Sequence, residues 1–305
     1  MLVPRRTFLV HTAASAGGHL LLPRRVRAQA AAAGQTELLR RNVGIFTGRG
    51  GTIGWLAAKD AVVVVDTQFP DTAKVCLDAL AAKGRRDVDL LLNTHHHGDH
   101  TGGNGVFRPV ARRIVAHVRV PALQKQAAGG QAGGSEPVVA DTTFETSWKA
   151  DAGDEVVQAV HYGPAHTGGD AVITFQKAQV THMGDLMFHE RHPFIDRPAG
   201  ASIRNWITTL ERVVKDQPRD TIYIFGHAKE GLAVTGSASH LLAFRDYLSA
   251  VLDFTSTRMK AGESRDAITA ARALPGFEGY QEAPPRLTLA TVLGVAYEEL
   301  SQAAG

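Results

Sequence analysis

Residues 90–104 read LLLNTHHHGDHTGGN and place four histidines and an aspartate within six consecutive positions, directly after an apolar run. Imidazole nitrogens and carboxylate oxygens are the donors that zinc, iron and manganese accept. At the end of an extended segment, residues two apart face the same side, so His95 and His97 aim at one point while His96 points away. Gly98 then permits a sharp turn that brings Asp99 and His100 round to a neighbouring point. That spacing can serve two metal ions. Three further candidates share one context: His166 in HYGPAHTGGD, Asp185 in VTHMGD and His227 in YIFGH each follow an apolar, strand-like run close to a glycine. If those strands share an orientation, the donors all emerge at one edge of a sheet, where loops on rigid strands carry function. A lone histidine on an apolar face is more often a satisfied core residue, but this cluster is not lone.

The elements that must position these groups can be read from apolar patterning. TIGWLAA, AVVVVD, DLLLN, RIVAHV, DEVVQAVHY, AVITF, QVTHM and TIYIFG are short runs rich in β-branched residues and are expected to be strands. Helical periodicity covers residues 71–83, 202–216 with Ser202 as N-cap, 240–254 and 287–300. Strands and helices mixed along the whole length exclude an all-helical bundle and point to layers of helix packed on sheet. GRGGT at 48–52 is expected to be the turn of a hairpin between NVGIF and TIGWLAA, since no helix pattern follows it as a phosphate loop would require. Arg49 and Trp55 could overhang the cleft there as a flap. The glycines of residues 127–137 suggest a mobile surface loop. Cys76, the single cysteine, falls at helical spacing with Val75, Ala79 and Leu80 and reads as a packing residue.

Residues 1–30 are set apart. RRTFLV opens a twin-arginine start, a weakly apolar stretch follows, and RAQA ends in a small-x-small cleavage pattern, which together read as an export signal. Its apolar part is too short and too interrupted to span a bilayer. This leader holds Arg5, Arg6, Arg24, Arg25 and Arg27 and no acid, so removing five charges from the formal +3 leaves −2 for residues 31–305. No nucleic-acid partner is indicated, and no membrane anchor. The remaining chain is expected to be one domain, 31–305, acting on a small-molecule substrate, with its oligomeric state open.

The set His95-x-His97-x-Asp99-His100, then His166, Asp185 and His227, resembles the ligand pattern of the metallo-β-lactamase superfamily at every position. The resemblance implies an α/β protein, a four-layer αβ/βα sandwich with the metals at one edge of two packed sheets. It implies His95, His97 and His166 as ligands of a first ion, Asp99, His100 and His227 as ligands of a second, and Asp185 as the bridge. Two Zn2+ per chain suit donors without thiolate, with iron or manganese possible. Two such ions about 3.5–4 Å apart lower the pKa of a shared water toward ~7 and polarise a substrate carbonyl. Asp99 would also orient the nucleophile or carry a proton to the leaving group. Family members that hydrolyse β-lactams generally lack an aspartate at the bridging position, so an ester, thioester, lactone or related bond is the expected target, with weak β-lactamase activity possible. The alternative is a mononuclear-iron oxidoreductase like the persulfide dioxygenases. After Asp185, the segment LMFHERHPFID should wall the substrate, with Phe188 and Phe194 as apolar contacts and His189, Arg191 and His192 toward an anionic group. Lys229 is a further candidate anchor, whereas His161 and His182 are expected to be structural.

Overall fold

Four consecutive valines, Val62–Val65, leave a strand with no polar face, which requires that both of its faces be covered. In the computed structural model they are. The structure describes residues 34–84, 87–129 and 136–302, so the expected export signal lies outside the described residues. Strands β1 (Gln35–Arg40), β2 (Val43–Thr47), β3 (Ile53–Ala57), β4 (Val62–Val65), β5 (Leu90–Leu92), β6 (Ile114–His117) and β7 (Thr142–Phe144) lie side by side in chain order as one sheet. The first four are antiparallel neighbours, and β4 through β7 run parallel. The later strands are β8 (Ser147–Ala152), β9 (Glu155–Val160), β10 (Val172–Phe175), β11 (Val180–His182), β12 (Phe188–His189), β13 (Ile222–Ile224), β14 (His227–Ala228) and β15 (Thr235–Gly236). Six of them form a second sheet in the order β15-β13-β11-β10-β9-β8, while β12 pairs with β14. The helices are α1 (Pro70–Ala81), α2 (Gly98–Thr101), α3 (Asn104–Phe107), α4 (Val120–Gly129), α5 (Ile203–Asp216), α6 (Ala238–Lys260), α7 (Arg265–Thr269) and α8 (Leu289–Gln302).

Period-two alternation sorts the buried side chains into three layers. Val62 and Val64 face outward with Trp55, Cys76 and Leu80, in the core under α1. Val63 and Val65 face inward and meet Val157, Ile173, Phe175 and Ile224 from the second sheet. On that sheet's other face Val172 and Tyr223 pack with Trp206, Leu210, Phe244 and Leu248 from α5 and α6. Helix, sheet, sheet and helix thus follow one another, the αβ/βα sandwich expected. Cys76 is fully buried, and burial pushes its thiol well above the usual range, in keeping with a packing role.

Three expectations need correction. Trp55 is 1% exposed beneath α1, because it shares the outward parity of Ile53; it cannot form a flap over the cleft. Residues 127–129 close helix α4 rather than opening a loop, and 130–135 lie outside the described residues. Helix α6 runs from 238 to 260, well past the expected 240–254.

Helix α5 begins at the expected cap: Ser202 is extended and its side chain accepts from the amide of Asn205. A second group helps from far away in sequence. Glu299 of α8 accepts from the amides of Ile203 at 2.8 Å and Arg204 at 3.1 Å, and so satisfies donors that a helix start leaves open. Glu299→Ala should therefore lower unfolding stability by about 1–3 kcal/mol, the usual cost of stranding buried donors. Urea unfolding of both proteins measures it, and identical midpoints would remove this role.

Candidate metal centre

The sheet topology answers whether the donor-bearing strands share an orientation. Strand β10 is antiparallel to both β9 and β11, and β13 is parallel to β11, so β9, β11 and β13 point the same way. His166, Asp185 and His227 each follow the C-terminal end of one of these three. In the first sheet the parallel strands β4 and β5 end at Asp66 and at the histidine run. The turn after His97 differs from expectation: His97 is extended (φ −64°, ψ 147°) and Gly98 simply starts helix α2, with no left-handed residue needed. His96 does point away; its Nε2 lies 3.4 Å from Asp196.

Three imidazoles meet at one point. His97 Nδ1 is 3.1 Å from His95 Nε2 and 3.0 Å from His166 Nε2. Their outer nitrogens are all engaged. His166 Nδ1 donates to the carbonyl of Phe194 at 2.7 Å, and His97 Nε2 donates to Asp196 Oδ2 at 2.9 Å. Thr94 Oγ1 gives its proton to Asp66 Oδ2 at 2.7 Å, so it accepts from His95 Nδ1 at 3.0 Å. Each ring proton is thereby fixed on the outer nitrogen, and three lone pairs converge with no hydrogen between them. Only a cation makes such an arrangement favourable, so the residues fit a metal.

A second group adjoins the first. Asp99 Oδ2 lies 3.1 Å from His227 Nε2 and 3.9 Å from His100 Nε2, and His100 Nδ1 faces Asp66 Oδ2 at 2.8 Å. Asp185 stands between the groups. Its Oδ2 is 3.5 Å from His166 Nε2 and 3.9 Å from His95 Nε2, whereas its Oδ1 is 2.9 Å from His100 Nε2 and 3.4 Å from His227 Nε2. Oδ1 is buried without a well-directed hydrogen-bond partner among the described residues, a second sign of a missing cation. Backbone economy makes the approach possible. Gly184 adopts φ +51°, and a Cβ on Gly226 would collide with Asp185 Oδ1.

The two groups differ in charge. Burial, reinforced by neighbouring imidazoles, holds His95 well below its usual pKa; burial likewise takes His166 down to about 3 although Asp185 opposes it. Both stay neutral, as ligands must. In the second group burial again opposes charge, but Asp185 and Asp99 overcome it, raising His100 well above its ordinary value and His227 to about 9. Burial would raise Asp99 and Asp185 too, yet His100 and His227 hold both carboxyls well below the usual range.

A cavity of about 540 Å³ opens beside these donors, lined by Asp99, Asp185 and His227 and by Phe188, Arg191 and Phe194 of the expected substrate wall. Phe188 stacks on His227 with ring centroids 5.4 Å apart. His189 and His192 do not join them. His189 Nδ1 bonds to the carbonyl of Ala233 and His192 Nδ1 to the hydroxyl of Tyr247, both within local packing. Lys229 is taken by the carbonyl of Gly279 and by Glu190, and Arg49 by Asp71, so neither is a free anchor. His161 stacks on His117 and bonds to the carbonyl of Asp170, and His182 reaches the carbonyl of Thr52, as structural histidines do. Sequence reading missed Asp66, Asp196, Phe69 and Arg286. Asp66 ends the valine strand, in the same strand-end context as the donors, and so carried a usable signal. The other three sit in irregular segments without periodicity.

Comparison with known proteins bears on the family and the fold. Residues 46–227 match the family model of the metallo-β-lactamase superfamily. A probable metallo-hydrolase of Methanocaldococcus jannaschii is 24% identical over 180 residues, covering 55% of this chain and 84% of that protein. A type 2 metallo-β-lactamase of Bacillus cereus is 25% identical over 177 residues, covering 58% of this chain but just under two thirds of its own length, 66%. Among solved structures, a metallo-β-lactamase from Pontibacter korlensis superposes with a TM-score of 0.59 at 18% identity, over 71% of this chain and 99% of that one, which bears on the fold. The chain belongs to the metallo-β-lactamase superfamily. Its class is that of a metal-dependent hydrolase.

Proposed function

We propose that the protein is an exported, dinuclear zinc-dependent hydrolase that cleaves an ester, thioester, lactone or related bond in a small molecule. The observation that carries this reading is the position of Asp185, whose two oxygens are divided between two otherwise complete donor groups. His95, His97 and His166 would hold one ion, Asp99, His100 and His227 the other, and Asp185 both. When bound, such ions supply Lewis acidity toward water and toward the substrate oxygen. Asp99 is the donor whose side chain is most open, 31% exposed against 5% for Asp185, and it lines the cavity. That places it to orient a water or to pass a proton to the leaving group. Phe188 and Phe194 supply apolar walls that hold the substrate and exclude bulk water. Metal content separates this reading from the mononuclear-iron alternative, which keeps a similar ligand set. No helix of the described residues is long and apolar enough to cross a membrane.

Metal quantification on purified protein, coupled to a panel of thioesters, lactones, aryl sulfates, phosphodiesters and β-lactams, tests the reading. Two zinc ions per chain with turnover of an ester-class substrate are expected, and β-lactams should be poor substrates. One iron per chain with oxygen uptake on a persulfide would overturn it. For export, the leader should be removed after Ala30; N-terminal sequencing of secreted protein that retains Met1 would contradict this.

A further inference from the structure

We propose that the cleft is built for a substrate that carries an oxyanion apart from its scissile bond, and that Arg286, with Arg191, receives that group. This rests on the hydrolase reading and deepens it. Arg286 and Arg191 both line the 540 Å³ cavity that contains Asp99, Asp185 and His227. Nearby guanidiniums are used structurally: Arg49 binds Asp71, Arg197 binds Glu299 and Arg265 binds Glu298. Neither cavity arginine has a carboxylate or hydrogen-bond acceptor for its side chain among the described residues, and Nε of Arg191 is buried without any partner. Both guanidiniums thus keep N–H groups without a protein acceptor, and an oxyanion in the cavity would satisfy them.

The backbone that carries the two side chains is also held in place. The backbone of 190–192 is bonded to that of 281, through Gln281 N to Glu190 O at 2.8 Å and His192 N to Gln281 O at 3.1 Å. Residues 283 and 287 then bridge each other, so Arg286 sits on a docked turn. Its guanidinium lies 5.7 Å from the centroid of the Phe194 ring, a cation–π contact that leaves its N–H groups free for a ligand. Phe69, Phe188, Phe194 and Leu287 line the same cavity. The chemistry recognised is therefore an apolar body with one anionic head, a carboxylate, sulfate or phosphate.

Arg286 is exposed and its replacement should not disturb folding. Calorimetric titration of metal-free protein with benzoate, benzenesulfonate and phenylphosphonate reads the site without catalysis. At least one anion should bind the unaltered protein, Arg286→Ala should weaken it about tenfold, and Arg286→Lys should restore part of the loss, with the ranking of the three anions identifying the head group. In the metal-loaded protein, kcat/KM for an aryl ester bearing a distal carboxylate, divided by that for its neutral counterpart, should fall about tenfold in Arg286→Ala. Absence of anion binding, or equal affinity and an unaltered ratio in Arg286→Ala, would overturn the proposal. Anion binding that depends on Arg286 with no turnover of either ester would instead count against the hydrolase reading alone.

Discussion

Asp185→Asn should leave the fold intact, reduce bound metal from two ions per chain toward one, and lower turnover by more than about 100-fold, beyond the effect usual for residues one step removed from a metal. The substitution keeps shape and volume at a position 5% exposed. What it changes is one oxygen and one charge. The oxygens of Asp185 lie 2.9 Å from His100 Nε2 on one side and 3.5 Å from His166 Nε2 on the other. An amide nitrogen has no lone pair to give, so whichever way the side chain is turned, one of the two groups loses a donor. With two ions bound, as proposed, the lost negative charge would weaken the hold on both at once. Metal analysis after dialysis and single-substrate kinetics read the two effects. An Asp185→Asn protein with two ions and an undiminished rate would show that Asp185 is not shared.

Much of this centre was legible because its logic is local to strand ends. The density of donors in THHHGDH after an apolar run, and three isolated donors each following a strand beside glycine, needed only a common strand direction to converge, and the β9, β11 and β13 order provides it. Mixed strands and helices announced only layers of helix on sheet, and the αβ/βα sandwich itself came from the resemblance; Val62–Val65, a strand without a polar face, shows why both of its faces had to be covered. Other features had no such pattern. Strand β8, SWKADA, alternates between exposed and half-buried positions and carries too few apolar residues to announce itself. Trp55 could be assigned to the cleft only while its parity was ignored; β3 turns it under α1. The histidines at 189 and 192 looked equivalent to Arg191, yet the loop turns them to Ala233 and Tyr247 and leaves the arginine facing the cavity. Such choices depend on where the segment 281–287 docks, about 90 residues further along the chain, and composition cannot supply that.

Asp66 is the residue through which one substitution should affect both metal sites. Its Oδ2 accepts from His100 Nδ1 at 2.8 Å and from Thr94 Oγ1 at 2.7 Å, and its Oδ1 accepts from the amide of Thr94 at 2.8 Å. Thr94 in turn receives the proton of His95 Nδ1. One buried carboxylate therefore sets the ring orientation of a ligand in each donor group. Asp66→Asn is the informative change, because Asp66 has φ +64°, a conformation that asparagine tolerates and alanine resists. The amide presents an N–H where an acceptor is required, so either the Thr94 amide or the His100 and Thr94 pair faces a donor. Affinity for both ions should fall about 10–100-fold, the usual range for a partner of a ligating histidine. Asp196→Asn provides the contrast, since Asp196 orients His97 in the first group and touches no ligand of the second. Competition titration with a chelator of known affinity should show two weakened sites in the first variant and one in the second. If Asp66→Asn weakens only one site, the proton path from His95 through Thr94 to Asp66 does not couple the groups, and the centre is two independent sites joined by Asp185 alone.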